Sequence, residues 1–377
     1  MNKKLGGIRK KVEDGQRLSF EDGLYLSESP ELLAIGRMAN IVRERKNGDK
    51  AHYIINGHIN HTNVCVNQCR FCAFSKLDGE DGAYAMPVDD VLQKAGEAHT
   101  DAISELHIVG GLHPDLPYVY YRDIISGLHE RFPRTHLQAY TAVEIYYLAE
   151  LSGLGIKETL TDLKEAGLGS LPGGGAEIFD KEVRHKICPD KISGNKWLEV
   201  METAHELGIR SNATMLYGHI EKPKHRVEHL IKLRELQDKT GGFMAFIPLA
   251  FHPLNTDIAQ KHFTTGQMDI RMLALSRLML DNFDHIKAFW IMISPEISQL
   301  SLSFGVDDID GTVIEERITN SAGAQSGQSI TVEELEQLIR EAGRIPVCRD
   351  TLYNELGNGS NRPASSRKGA GLADHAA

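Results

Sequence analysis

The segment Cys65-Val66-Asn67-Gln68-Cys69-Arg70-Phe71-Cys72 places three of the chain's five cysteines within one short loop. A closed structural zinc site takes four ligands and a disulfide framework takes an even number, so a trio leaves one coordination position open. An iron-sulfur cubane held by three thiolates has that property, because one iron stays free to bind something else. The competing reading is a zinc knuckle completed by His61 or by the distant Cys188. The tight C-x3-C-x2-C spacing and the lack of a second cysteine pair match zinc patterns poorly. Cys188 and Cys348, each alone in its stretch, read as inert thiols.

Composition narrows the partner. The 377 residues include 42 basic and 52 acidic side chains, a formal net charge of −10. That balance argues against nonspecific binding to nucleic acid or to an anionic membrane and points to a small-molecule partner. Charged residues surround the opening Met1-Asn2-Lys3-Lys4 stretch, and no apolar run is long enough for a signal core or a membrane span. A cytoplasmic protein is expected, and in a reducing compartment clustered cysteines hold metal or do redox chemistry more often than they cross-link. The 17 histidines are scattered, and most read as solvated or as satisfied core residues.

A scaffold must bring the trio to a substrate. Strand-like runs at 58–63, 105–109, 136–140, 168–171, 210–214, 244–249, 285–290 and 300–304 alternate with segments of helical spacing. Val88, Val91, Leu92, Ala95 and Ala98 form one apolar stripe, and Val227, Leu230 and Ile231 begin another. Leu160, Leu163 and Ala166 stop before Gly167, a C-terminal cap, and Thr331 with Glu334 forms a capping box ahead of Leu335, Leu338 and Ile339. Eight βα units predict a parallel α/β barrel over residues 51–350. Residues 1–50 read as a helical extension, and 351–377, rich in Gly, Ser, Ala and Asn, as a disordered tail. There is no internal repeat, heptad run, P-loop or dinucleotide fingerprint.

In a βα barrel, chemistry sits at the C-terminal ends of the strands. The cysteine loop follows the first expected strand, Gly110 to Pro117 the second, and Thr141 to Ile145 the third. Pro172 to Glu177, Met215 to Glu221 and Ala250 to Thr256 follow the next three. His61, His113 and His219 fall at such ends, where a histidine can exchange protons near neutral pH, although loop histidines are commonly just solvated.

The cysteine spacing, with Phe71 directly before Cys72, resembles the signature of the radical S-adenosylmethionine superfamily, whose members are built on a TIM-type βα barrel. Together INHTNVC, HIVGGLHPDLPYVYY, SLPGGGAEIF, NATMLYGHIE, LRELQDKTGGFMAFIPLAFHPLNT and LDNFDHIKAFW resemble the aminofutalosine synthase family of the futalosine route to menaquinone. The resemblance runs from about Gly57 to about Arg349. It implies a 4Fe-4S cluster on Cys65, Cys69 and Cys72, with S-adenosylmethionine as co-substrate. It further implies that the backbone at Gly110 and Gly111 meets the methionyl group, that Phe71 packs on the adenine, and that Glu144 hydrogen-bonds the co-substrate. An ordinary βα turn for the glycines and a solvated loop carboxylate for Glu144 are the competing readings.

The implied reaction adds a 5′-deoxyadenosyl radical to the vinyl carbon of 3-[(1-carboxyvinyl)oxy]benzoate. Aryl migration and loss of a carboxyl group as bicarbonate then give 6-amino-6-deoxyfutalosine and methionine, with an electron donor such as flavodoxin or ferredoxin. Two substrate carboxylates suit bidentate arginines, which makes Arg184 and Arg210 candidates, with His61 as a further contact; a surface arginine is the competing reading. Several motifs also resemble cyclic dehypoxanthine futalosine synthase, which abstracts hydrogen instead, and the deazaflavin chromophore synthase shares barrel motifs. A non-enzymatic iron-sulfur or zinc module has little use for so many loop motifs around one barrel mouth.

Overall fold

The computed structural model describes residues 3–98, 102–258, 262–313, 317–323 and 329–357. Its strands are β1 (Lys50–Ile54), β2 (Asn56–Ile59), β3 (Glu105–Ile108), β4 (His136–Ala139), β5 (Ser170–Leu171), β6 (Arg210–Tyr217), β7 (Phe243–Ala250), β8 (His285–Ile286), β9 (Asp308–Gly311) and β10 (Ile345–Arg349). Strands β2 to β8 form a seven-stranded sheet in chain order, and every neighbouring pair is parallel. A second parallel sheet has the order β10-β1-β9.

The two sheets join into one curled wall. Lys287, just past β8, bridges to Asp308, and the Ala288 N–H donates to the Asp308 carbonyl at 2.8 Å. Past the other end of β9, the Thr312 hydroxyl accepts from the Asn56 N–H at 3.1 Å and donates to the Asn56 carbonyl at 3.0 Å. The Val313 N–H adds a bond to the Asn56 side chain at 2.9 Å. Strand β9 thus fills the gap between β8 and β2.

The eighth strand expected at 300–304 is absent. Leu300 lies in the helix Pro295–Ser301, and Phe304 packs under the helix Leu32–Asn47. A Cβ on Gly36 would sit 2.2 Å from the Phe304 ring, so only glycine lets that helix come so close. The eighth stave is Asp308–Gly311, whose Asp310 lines the cavity and whose two aspartates leave no apolar pattern to read.

The helices cover the ring because each buries one stripe. Val91 and Ala95 in Val88–Ala98, and Leu160 and Leu163 in Ile156–Ala166, are fully buried. Gly167 ends the latter helix in the left-handed region at φ 117°, and Thr331 and Glu334 form the capping box of Val332–Glu341. The helix Lys3–Glu13 packs on Leu32–Asn47, which packs on Gly266–Met279, and Phe20–Glu28 packs on Pro223–Thr240 and Gly266–Met279. Residues 351–357, expected to open a disordered tail, instead fold back. The Tyr353 ring stacks on His285 at 3.6 Å, and its hydroxyl donates to Asp308 at 2.8 Å. Residues 358–377 of that expected tail lie outside the described residues. Among the described residues no helix is long and apolar enough to cross a membrane.

Candidate active site

The C-terminal ends of the strands open onto a cavity of about 330 Å³. Cys65, Cys69 and Cys72 all line it, and all are free thiols. Their loop is clamped from two sides: the Val66 N–H donates to the Leu112 carbonyl at 3.0 Å, and the Arg70 N–H to the Ile187 carbonyl at 2.9 Å. Inside the loop the Cys72 N–H donates to the Cys69 carbonyl at 2.9 Å, a turn that holds the last two cysteines together. Burial pushes the Cys65 and Cys72 thiols above their ordinary range. Three thiols that would be costly as bare thiolates, gathered at one opening, fit a cationic iron-sulfur group that stabilises them once deprotonated.

The glycine pair lies directly against this loop. A Cβ on Gly111 would stand 2.1 Å from the Val64 carbonyl oxygen, and one on Gly110 2.4 Å from the His61 ring. The missing side chains let this backbone pack tightly against Val64 and His61, and both glycines line the cavity. Glu144, at the start of the helix Ala142–Ser152, accepts from the Gly110 N–H at 3.0 Å and from the Thr141 N–H at 2.7 Å. It is buried rather than solvated, and burial raises its carboxyl to about 7 against those bonds.

Two cationic side chains line the cavity among the described residues, and both are lysines. Lys191 stands at the mouth, 2.6 Å from Glu177 and 5.1 Å from the centre of the Phe71 ring. Burial opposes its charge, but Cys69 and Glu177 outweigh that and keep it protonated. Lys287 stands on the floor, 2.9 Å from Asp310. Around it the floor is polar: Asn56, His58, Glu105, His107, Gln138 and Asn212 point inward from β2, β3, β4 and β6. His58 stacks on His107 at 4.6 Å, and burial, with His107 and Lys287 nearby, keeps its imidazole neutral.

Lys191, Glu177, Lys287, Asp310, Glu105 and His107 were not singled out by sequence. For Glu105, His107 and Lys287 the signal that could have found them is a polar or charged residue inside a strand expected to be apolar, as in Glu105-Leu106-His107-Ile108; Lys191 and Glu177 lie in loops, and Asp310 on a strand that no apolar pattern marks.

Several expected contacts lie elsewhere. The Arg184 guanidinium is buried under the glycine loop and donates to the carbonyls of Gly175, Ala176 and Ile192 at 3.0, 2.7 and 2.7 Å. It shapes that loop and does not line the cavity, so it is not placed to clamp a substrate there. Arg210 is exposed at the N-terminal end of β6, the opposite end from the cavity. His61 is fully buried among Tyr120, Tyr121 and Tyr140, and burial holds it down at about 3, so it packs beneath Gly110 as a neutral ring. His113 and His219 are buried and bonded locally, to the Asp115 N–H and to the Leu216 carbonyl. Cys188, read as a lone thiol, is buried beside Cys69, which hydrogen-bonds to it.

Residues 59–233 match the radical SAM superfamily, and residues 240–361 match the CofH/MqnC C-terminal region. The chain is 49% identical over 353 residues to the aminodeoxyfutalosine synthase of Thermus thermophilus, covering 93% of this chain and 95% of that one. The enzyme of the same name from Streptomyces coelicolor is 43% identical, covering 93% of each. A 5-amino-6-(D-ribitylamino)uracil–L-tyrosine 4-hydroxyphenyl transferase of Methanothermobacter thermautotrophicus is 44% identical, with 90% of this chain and 94% of its own length covered. The chain belongs to the radical SAM family of the aminodeoxyfutalosine synthases. The fold is shared more widely: methylornithine synthase superposes with a TM-score of 0.71 at 16% identity, over 90% of this chain and 97% of that one. An FeFe-hydrogenase maturase of Carboxydothermus hydrogenoformans gives 0.70 at 16%, over 93% and 80%.

Proposed function

We propose that this chain is an aminodeoxyfutalosine synthase, joining the adenosyl group of S-adenosylmethionine to 3-[(1-carboxyvinyl)oxy]benzoate with release of methionine and bicarbonate. The observation that carries the reading is 49% identity over 93% of the chain to an enzyme of that name, on a barrel whose three loop cysteines share one cavity. Cys65, Cys69 and Cys72 are the residues that would hold a 4Fe-4S cluster. When bound there, such a cluster supplies one electron to the sulfonium of S-adenosylmethionine, with flavodoxin or ferredoxin as the donor class.

The chain's own residues position and enclose. Backbone at Gly110 and Gly111 lines the cavity where the methionyl end would lie, and Glu144 offers a carboxylate to its ammonium group. Phe71 offers its ring to the adenine, with Lys191 near the same ring. The vinyl carbon must be held within roughly 3 to 3.5 Å of the adenosyl 5′ carbon, which requires the substrate to be gripped from below. The buried lining protects so reactive a species from solvent.

The test is to incubate reduced, cluster-loaded protein with both substrates and identify the nucleoside formed by mass spectrometry. Aminodeoxyfutalosine is the expected product. A cyclised, adenine-free product formed from dehypoxanthine futalosine would give the chain to the sister cyclase. A colourless, zinc-loaded preparation would remove the radical reading altogether.

A further inference from the structure

We infer that Lys287, held by Asp310 on the floor of the cavity, binds the ring carboxylate of the substrate and sets the enzyme's preference for a carboxylated ring. The inference rests on the reaction proposed above. That substrate carries two carboxylates, and the cavity offers them no arginine among the described residues. Of its two lysines, Lys191 is engaged at the mouth by Glu177 and stands near Phe71 and Cys69, on the side of the co-substrate. Lys287 is the cation left for the part of the substrate that lies deepest.

Geometry says which part that is. The vinyl carbon has to meet the adenosyl 5′ carbon near the cysteine loop. The carboxylate on the ring is the group furthest from the vinyl carbon, so it reaches the floor when the vinyl group faces the mouth.

The floor is built to hold it. Lys287 is 6% exposed, and among the described residues its Nζ has one protein partner, the Asp310 carboxylate at 2.9 Å, so two of its three N–H bonds remain for a ligand. Asp310 stands on left-handed backbone at φ 65°, unusual for a residue with a side chain, and its N–H donates to the Asp308 carboxylate at 2.7 Å. Arg349 and Tyr353 in turn fix Asp308 at 2.6 and 2.8 Å. The ammonium is therefore aimed before any ligand arrives. Beside it, His58 has no protein hydrogen-bond partner on either ring nitrogen among the described residues and can donate one N–H as a neutral imidazole.

Charge alone would not draw an anion here, because Glu105 and Asp310 face one Lys287. Burial opposes ionisation of Glu105, but Lys287, His107 and Arg349 outweigh it and hold its carboxyl below the ordinary range. Recognition is by directed bonds, and the flanking carboxylates reject a ring bearing a second anion.

The test measures equilibrium binding to cluster-loaded protein with S-adenosylmethionine present and no reductant, so that nothing turns over. The ligands are 3-[(1-carboxyvinyl)oxy]benzoate and the same molecule without the ring carboxylate. The wild type should bind the dianion about 30-fold or more tightly than the analogue. Lys287→Met should weaken the dianion by about that factor and leave the analogue within about twofold, and Lys287→Arg should recover part of the loss. Equal weakening of both ligands, or of neither, overturns the inference. Should Lys287→Met fail to fold, the wild-type ratio decides alone, and a ratio near one overturns it. Failure of the wild type to bind the dianion at all overturns the reaction assignment as well.

Discussion

The two ends of the cavity are organised around the same device and use it differently. At the mouth Glu177 holds Lys191, and on the floor Asp310 holds Lys287. Both carboxylates sit on left-handed backbone, at φ 48° and 65°. Such strain persists where the surroundings fix a conformation, and it gathers at functional sites. The mouth pair abuts the cysteine loop, beside residues whose chemistry serves the co-substrate. The floor pair lies among neutral imidazoles and amides contributed by separate strands. On the proposed reaction the difference is a division of labour: radical generation falls to one continuous loop, whereas substrate choice falls to a surface that exists only once the barrel has formed.

The sharpest way to break that division is to destroy one end and probe the other. Replacing Cys65, Cys69 or Cys72 by Ala should remove the intact cluster and reduce product formation to background, as seen by iron content, absorbance and product assay. Cys188→Ser should keep the cluster spectrum, since that thiol lies behind Cys69. Loss of the cluster in Cys188→Ser with retention in Cys72→Ala would reverse the ligand assignment.

Arg184 tests the wall between the two ends. Arg184→Ala strands three buried carbonyls, so stability should fall by about 3 kcal/mol in denaturant titration. With Arg184→Lys, a large rise in KM at unchanged stability would instead restore the substrate clamp that its position argues against.

Glu144 gives the mouth a pH signature. Its carboxyl is raised to about 7 by burial, so the cofactor-free fold keeps a proton that the unfolded chain has already lost. Its stabilising share is present below about pH 4.5 and is lost as pH rises through about 7, an effect of about 3 kcal/mol. Binding of cationic S-adenosylmethionine should run the other way, tightening up to about tenfold per pH unit between roughly pH 5 and 7 and levelling off above. Glu144→Gln should flatten that slope, whereas binding of the ring carboxylate should not share it. Arg210→Ala should be the smallest change, within about 0.5 kcal/mol in stability and without effect on KM, as befits an exposed residue at the far end of β6.

This same division explains what could be read in advance. The βα alternation was legible because buried stripes and caps such as Gly167 and the Thr331–Glu334 box are local signals. Leu300 and Phe304 look apolar and draw the eighth stave to the wrong place, whereas in the actual stave, Asp308-Ile309-Asp310-Gly311, every residue but Ile309 is of a type that strands usually avoid. The cysteine loop declared itself because three thiols in one short run have few other uses. The floor did not, since Glu105, Lys287 and Asp310 are lone polar residues far apart in the chain, joined only by the barrel axis. Arginine looked right for carboxylates on chemical grounds, yet Arg184 was needed by the backbone beneath the glycine loop.

The claim that the mouth delivers an adenosyl group to a substrate gripped from the floor is tested most directly by following the adenine. With S-adenosylmethionine labelled in the adenine ring, the reduced enzyme and the enolpyruvyl benzoate should move label into the product nucleoside one for one with methionine released. Only a minor share should appear as 5′-deoxyadenosine, growing in Lys287→Met as the substrate loosens. Label recovered in 5′-deoxyadenosine in step with methionine, with none in the product, would contradict the account.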